Sequence, residues 1–386
     1  MSYDSEILFL NRAKFVMSHL GVWIPSINES FFFKLIRYFM ISLQYLFLLF
    51  QSIYIIQVWG DLQAVCQAFY LFFTQACLCF KVSVFHINMD KLRELLKQMN
   101  SPIFEPKSEA QKTILHNQAA RIKRMLLSFM ISSQATCGLW ALKPLFDNAG
   151  NHDFPFDMWM PFSRDTPQYE IGFAFQLVTI SMSAYMYFGV DSVALSMIIF
   201  ACAQLDIIKD KIMNISPIDV LKGADPQKIY MDNHKVLIEC VKHYQAVYVF
   251  TKLVETTYHT YLLFQITGSV GLFCMTALRI LGVDWKSVQF FSSLSYLLVM
   301  LMQLFVCCWC GHELTATSEN LHTVMYKCMW YEQYGPFKRD LQFAMMRMSR
   351  SMVLRAGYYI TLSRQTFVSI LRMSYSYFAV LVNQDN

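Results

Sequence analysis

Charge is scarce in this 386-residue chain: Asp, Glu, Lys and Arg together make up 15% of it, against 55% hydrophobic residues. A soluble domain carries about a quarter charged residues. The balance excludes a disulfide scaffold, a collagen and a nucleic-acid-binding tail protein, and 33 Phe with 21 Tyr exclude a disordered chain. A cleavable signal peptide is also missing, since Asp4, Glu6, Arg12 and Lys14 interrupt the first twenty residues. Catalytic signatures are absent: there is no P-loop, no GxGxxG and no GxSxG, and His312-Glu313 fails as a zincin start because position 316 is Ala. Cys307, Cys308, Cys310 and His312 lack the second ligand set that zinc sites pair with, so a buried thiol cluster is the expectation there. Neither an enzyme, a cofactor nor a metal is expected. What remains is a polytopic membrane protein.

About 20 apolar residues cross ~30 Å of hydrocarbon as a helix. Seven stretches qualify: 35–59, 64–86, 125–146, one starting near Ile171, 257–281, 288–310 and 357–382. The last contains Arg364 and Arg372; 288–310 contains no charge. Lys and Arg stay on the cytoplasmic side. Segment 87–124 holds Lys91, Arg93, Lys97, Lys107, Lys112, Arg121, Lys123 and Arg124, and segments 206–249 and 311–356 are comparably basic. The alternating segments 60–63, 147–169 and 282–287 carry only Arg164 and Lys286. The N-terminus is therefore expected inside and the C-terminus outside, the reverse of a G-protein-coupled receptor. None of the 11 cysteines falls in an outer segment, so free, buried thiols are expected. The Asn214-Ile-Ser216 triplet lies in an inner segment.

Residues 87–99 and 191–213 place apolar residues three and four apart with charges between. They read as membrane helices continuing as amphipathic rods into the cytoplasm, or as helices lying on the bilayer. Asp191 lies deep in the fourth apolar stretch. An ionisable residue there is either functional or sits near the cytoplasmic boundary, solvated or paired with a Lys or Arg.

Gln365, Ser369, Arg372, Ser376 and Asn383 share one face of the last span. Lipid cannot satisfy such a stripe. It either lines a pore between copies of the helix, with Ala379 and Val380 as an apolar constriction, or packs inside the subunit. The outer halves of the second, third and fourth spans carry Phe69, Tyr70, Phe72 and Phe73, then Ser133, Thr136 and Trp140, then Phe173, Phe175, Gln176, Tyr185 and Tyr187. Helix packing and an interfacial belt account for such residues, and so does a small cavity for an apolar ligand.

An ordered set of stretches resembles the insect odorant receptors. It runs Phe154-Pro-Phe-Asp-Met-Trp159-Met-Pro161-Phe, Pro167-Gln-Tyr-Glu170, Gln176 and Cys240-Val-Lys-His243-Tyr-Gln245. Cys310-Gly311, Ser318, Tyr326 through Trp330, Phe337-Lys-Arg339, Met346-Arg347 and the closing Ser374-Tyr-Ser-Tyr-Phe-Ala-Val-Leu381 follow. The resemblance implies an all-α membrane protein of seven spans, cytoplasmic at its N-terminus and extracellular at its C-terminus, with helices extending into a cytoplasmic anchor domain. It divides the chain into the first six spans (1–310), the anchor segment (311–356) and the pore-lining last helix (357–386). It further implies a ligand-gated cation channel of four subunits in the plasma membrane of olfactory neurons, opened by a small neutral volatile. Val380 becomes the hydrophobic gate, with Leu381, Asn383, Ser376 and Arg372 along the pore. The implied pocket lies among the second to sixth spans, with Phe69, Phe72, Phe73, Ser133, Thr136, Trp140, Leu177, Ile180 and Tyr185 as candidates. The segment between the fourth and fifth spans is short, unlike that of the longer odorant co-receptor. An odour-specific subunit assembled with that co-receptor is the reading; a self-sufficient gustatory-receptor-like channel is the alternative. A transporter is a further one, although no internal repeat is visible.

Overall fold

The computed structural model describes residues 4–23, 30–146, 154–161, 168–215 and 226–384. It is an all-α bundle. The helices are α1 (Ser5–His19), α2 (Phe31–Gln57), α3 (Leu62–Ile87), α4 (Met89–Met99), α5 (Glu109–Phe146), α6 (Gln168–Met213), α7 (Pro226–Leu281), α8 (Val288–Lys327), α9 (Gly335–Met348) and α10 (Arg364–Gln384). Strands β1 (Arg355–Ala356) and β2 (Ile360–Thr361) pair antiparallel, Arg355 opposite Thr361. The helices α2, α3, α5, α6, α7 and α8 are long and apolar enough to cross a bilayer. The seventh span, α10, falls below that apolarity because it carries Arg364, Arg372 and the polar stripe.

α6 is the axis of the bundle. Every residue from Met186 to Leu205 is buried, with α1, α5, α7 and α8 packed around it. The amphipathic rod expected over 191–213 is thus corrected: a helix apolar all round is a core helix, and only its last turns, with Asp206, Lys209, Asp210 and Lys211, reach partial exposure. α1 closes one side of it. Asp4 caps its start by accepting from the Ile7 N–H, and Phe9, Leu10, Ala13 and Met17 form its buried face. Gly189 makes that contact possible, since a Cβ there would meet Met17 Cγ at 2.4 Å. The rod expected over 87–99 is present as α4, separated from α3 at Asn88. It buries Leu92, Leu95 and Met99 and leaves its charges outside.

The last span starts later than hydropathy places it. Residues 357–363 belong to the hairpin, where the Gly357 N–H donates to the His259 carbonyl of α7 at 2.9 Å. Ser363 then starts α10, its Oγ accepting from the Thr366 N–H at 3.1 Å. α8 runs unbroken through residues 310 and 311, so the division between the sixth span and the anchor segment falls inside one rod. Gly311 lets the hairpin's exit cross α8 closely, because a Cβ there would stand 2.3 Å from Leu362 Cβ.

Candidate functional site

Below the end of the bundle assigned outside by charge, a cavity of about 50 Å³ opens between α3, α5, α6 and α8. Each helix supplies one face at helical spacing. From α6 come Ile180, Ser183, Ala184 and Tyr187, the i, i+3, i+4, i+7 row. From α5 come Phe129, Ser133, Thr136, Cys137 and Trp140. α8 adds Tyr296, Val299 and Met300, and α3 adds Leu71 and Thr74. The lining is apolar and aromatic with a few hydroxyls, and contains no charged side chain, as suits a small neutral ligand.

A short strap covers this space. Gln176 of α6 clamps Phe156 twice, its Oε1 accepting from the Phe156 N–H at 3.1 Å and its Nε2 donating to the Phe156 carbonyl at 3.2 Å. Trp159 ties the strap to α2 through its N–H to the Phe50 carbonyl at 3.3 Å and an edge-on ring contact at 5.5 Å. Phe156 then packs edge-on against Trp140 at 5.0 Å, and Tyr296 flanks the same indole at 5.5 Å.

Four of the nine pocket candidates, Ser133, Thr136, Trp140 and Ile180, line the cavity together, as does Tyr187 from the aromatic residues of the fourth span. Phe69 and Phe72 do not; with Phe73 they form a half-buried ring cluster, the centroids 5.5–6.2 Å apart. Leu177, one turn before Ile180, and Tyr185, on another face of α6, lie outside the lining. The fifth span, α7, contributes nothing to this cavity either, although the implied pocket included it. It lines a smaller neighbouring one of about 20 Å³ with Gln265, Gly268, Ser269 and Leu272, joined there by Phe73, Cys77 and Gln303. Tyr187 and Met300 touch both spaces and form the wall between them. Leu71, Thr74, Tyr296, Val299 and Met300 carried no distinguishing signal in the sequence, whereas the α6 row is visible there as a helical repeat.

One turn below Tyr187 sits a buried ion pair. Lys81 Nζ lies 2.6 Å from Asp191 Oδ1, with the two side chains 0% and 6% exposed. Gln303 donates to the other carboxylate oxygen. The ammonium also faces the rings of Tyr187 at 4.6 Å and Tyr261 at 5.3 Å. Asp191 is therefore paired, as one reading of the sequence had it, but enclosed in the core rather than solvated at the boundary.

The polar stripe of α10 points the other way. Gln365, Ser369, Arg372 and Ser376 are exposed, while Ile370 and Ser374 on the opposite face are buried against the subunit. Among the described residues, the Gln365, Ser369 and Arg372 side chains make no hydrogen bond, and Ser376 donates only to the Arg372 carbonyl of its own helix at 2.9 Å. Val380 is 56% exposed and Leu381 is half-buried; the Asn383 side chain lies outside the described residues. Cys307, Cys308 and Cys310 pack as buried free thiols, as do Cys77, Cys79, Cys137, Cys202, Cys240 and Cys328.

The chain is similar to known proteins along its whole length. The family model described as 7tm Odorant receptor matches residues 61–375. Odorant receptor Or1 of Anopheles gambiae is 23% identical, over 96% of this chain and 94% of its own. Odorant receptor 46a, isoform B, of Drosophila melanogaster is 27% identical over 94% of each. The solved structure of the olfactory receptor OR5 from Machilis hrabei superposes with a TM-score of 0.82 at 16% identity, covering 100% of both chains, and so does its complex with eugenol. The chain belongs to the 7tm odorant receptor family, whose members are multi-pass membrane receptors rather than enzymes.

Proposed function

We propose that this chain is an odour-specific subunit of a ligand-gated, non-selective cation channel, assembled with the odorant co-receptor in the plasma membrane of olfactory sensory neurons. The observation that carries the reading is the exposed polar stripe of α10, on the face turned away from its own subunit. Within a bilayer such a stripe needs water or a partner. Four last helices around an axis, those of this chain together with those of the co-receptor, supply both, with this chain's Arg372 and Ser376 along the pore and its Val380, Leu381 and Asn383 at the constriction. The segment 311–356 serves as the cytoplasmic anchor between subunits. Its exposed Tyr326, Tyr331, Tyr334, Phe343 and Met346 are apolar enough to be covered by neighbours.

The ligand is a small neutral volatile held in the cavity under the Phe156 strap; that the Machilis receptor, similar in fold, was solved in complex with eugenol supports a ligand of this kind. Apolar burial at about 25 cal/mol per Å² drives its entry. It opens the channel only in so far as it binds the open arrangement better than the closed one. α8 is the route between the two sites. It carries Tyr296, Val299 and Met300 of the cavity, then Phe305, whose ring meets Phe367 of α10 at 5.6 Å, then Gly311 beneath Leu362. A shift of α8 is thereby passed to α10 and withdraws Val380 from the axis.

The test is whole-cell current to a panel of small volatiles, with this chain expressed alone and with the co-receptor. Fast cation currents only in co-expressing cells are expected. Currents from this chain alone would indicate the self-sufficient, gustatory-like channel, and substrate-dependent currents without single-channel steps a transporter. Val380→Glu is expected to change conduction or basal current, and unchanged currents would remove Val380 from the gate.

A further inference from the structure

We propose that the indole N–H of Trp140 is the polar anchor of the cavity, and that it selects volatiles carrying an acceptor oxygen (ketones, esters and ethers) over hydrocarbons of the same shape. The proposal rests on the cavity being the ligand site and adds the chemical class that the site prefers.

The hydroxyl donors lining the cavity are already committed. Ser133 donates to the Met130 carbonyl at 2.9 Å. Thr136 donates to the Ser132 carbonyl at 3.0 Å and shares a hydrogen bond with Ser295 at 2.7 Å. Ser183 donates to the Thr179 carbonyl at 2.8 Å, and Tyr187 to that of Thr74 at 2.8 Å. Thr74 and Tyr296 bond to one another and both reach the Tyr70 carbonyl. These are mostly returns to the helix's own backbone, which a hydroxyl satisfies without leaving its helix.

Trp140 differs from all of them. Its Nε1 is buried and has no hydrogen-bond partner among the described residues, and the residue is 4% exposed. An indole N–H can only donate. A buried donor left unmade costs free energy that folding has already met, so a ligand acceptor placed on it gains the hydrogen bond without a new protein desolvation cost. The ring cannot swing away to find another partner, because Phe156 under the Gln176 clamp and Tyr296 on α8 pack against it. A hydrocarbon fills the same volume and leaves the N–H unmet.

The experiment compares matched pairs in which C=O is replaced by C=CH₂ or O by CH₂. They are acetophenone with α-methylstyrene, 2-heptanone with 2-methyl-1-heptene, and anisole with ethylbenzene. Binding to the purified full-length protein is read by headspace retention, which does not depend on channel opening. The oxygen member of the best-fitting pair is expected to bind about tenfold more tightly. Trp140→Phe is expected to abolish that preference, so that the two members of each pair bind alike whatever the change in their common affinity. Trp140→3-benzothienylalanine, which keeps the shape and removes the N–H, repeats the test if the Phe variant folds poorly. Equal binding of both members of every pair overturns the proposal, and so does a preference that survives both substitutions. Failure of every compound to bind would instead overturn the ligand-cavity reading itself, a result distinct from the loss of the acceptor preference alone.

Discussion

Two polar arrangements lie within the membrane part of this molecule, and they are handled in opposite ways. In the core, Lys81 and Asp191 close on one another at 2.6 Å, with Gln303 on the second carboxylate oxygen and aromatic faces on the ammonium. On α10, Arg372 and its companions are exposed, and among the described residues their side chains find no partner beyond their own helix. Hydrocarbon satisfies neither kind of group. The first arrangement is complete within one chain and belongs to its fold. The second is incomplete within one chain and belongs to whatever surrounds it, which is why it carries the functional proposal.

Breaking the core pair is expected to have the largest effect. Lys81→Met leaves Asp191 as an uncompensated buried charge, at a cost of about 3–5 kcal/mol. Loss of folded protein is the expected outcome, read by monodispersity in detergent and by delivery to the cell surface. The double variant Lys81→Met/Asp191→Leu removes both charges and is expected to recover most of the folded yield, since a buried pair and an apolar replacement of similar volume are often near parity. If the single and double variants fail alike, the pair is not what the substitution breaks.

A smaller effect is expected where the two regions meet. Gly311 sits on α8 under Leu362, the residue that leads from the hairpin to α10. Gly311→Val would place its Cβ 2.3 Å from Leu362 Cβ and 2.9 Å from the Leu362 carbonyl oxygen, so hairpin and helix must move. Overpacking of this kind costs about 1–3 kcal/mol. The expected outcome is a protein that still reaches the surface and binds volatiles, with its current per ligand bound reduced. Undiminished currents would show that α10 is not positioned through this contact.

The spans were legible because a membrane helix advertises itself by length and apolarity, and α2, α3, α5, α6, α7 and α8 accordingly account for six of the seven stretches read from hydropathy. α1 was not assigned because it is short and mixed, with Phe9, Leu10, Ala13 and Met17 meaningful only once α6 lies against them. The start of α10 was misplaced because Tyr358, Tyr359 and Ile360 are as apolar in a hairpin as in a helix; Ser363 with Thr366 was the local sign of the true start. In the cavity, Ser133, Thr136, Trp140 and Ile180 were found because hydroxyls and a Trp among apolar residues stand out. The remaining lining depends on the rotation of each helix about its axis, which no single helix encodes. The same holds for Lys81 and Asp191, whose pairing spans 110 residues of sequence.

Arg372→Leu is expected to have the smallest effect on the folded protein and the sharpest meaning for the comparison. The side chain is exposed and makes no hydrogen bond among the described residues, so stability should stay within about 0.5 kcal/mol of the starting protein. If the stripe lines a water-filled pore, however, guanidinium groups near the axis, one from each copy of this chain, raise the energy of a passing cation. Their field is screened over about 10 Å at 0.1 M salt and over about 30 Å at 0.01 M. Removing them should therefore raise single-channel cation conductance most at low ionic strength, with the two proteins converging as salt increases. An unchanged conductance at every salt concentration would place the stripe against another protein surface, where Arg372 pairs with a partner's carboxylate. The same substitution would then weaken assembly rather than alter ion flow.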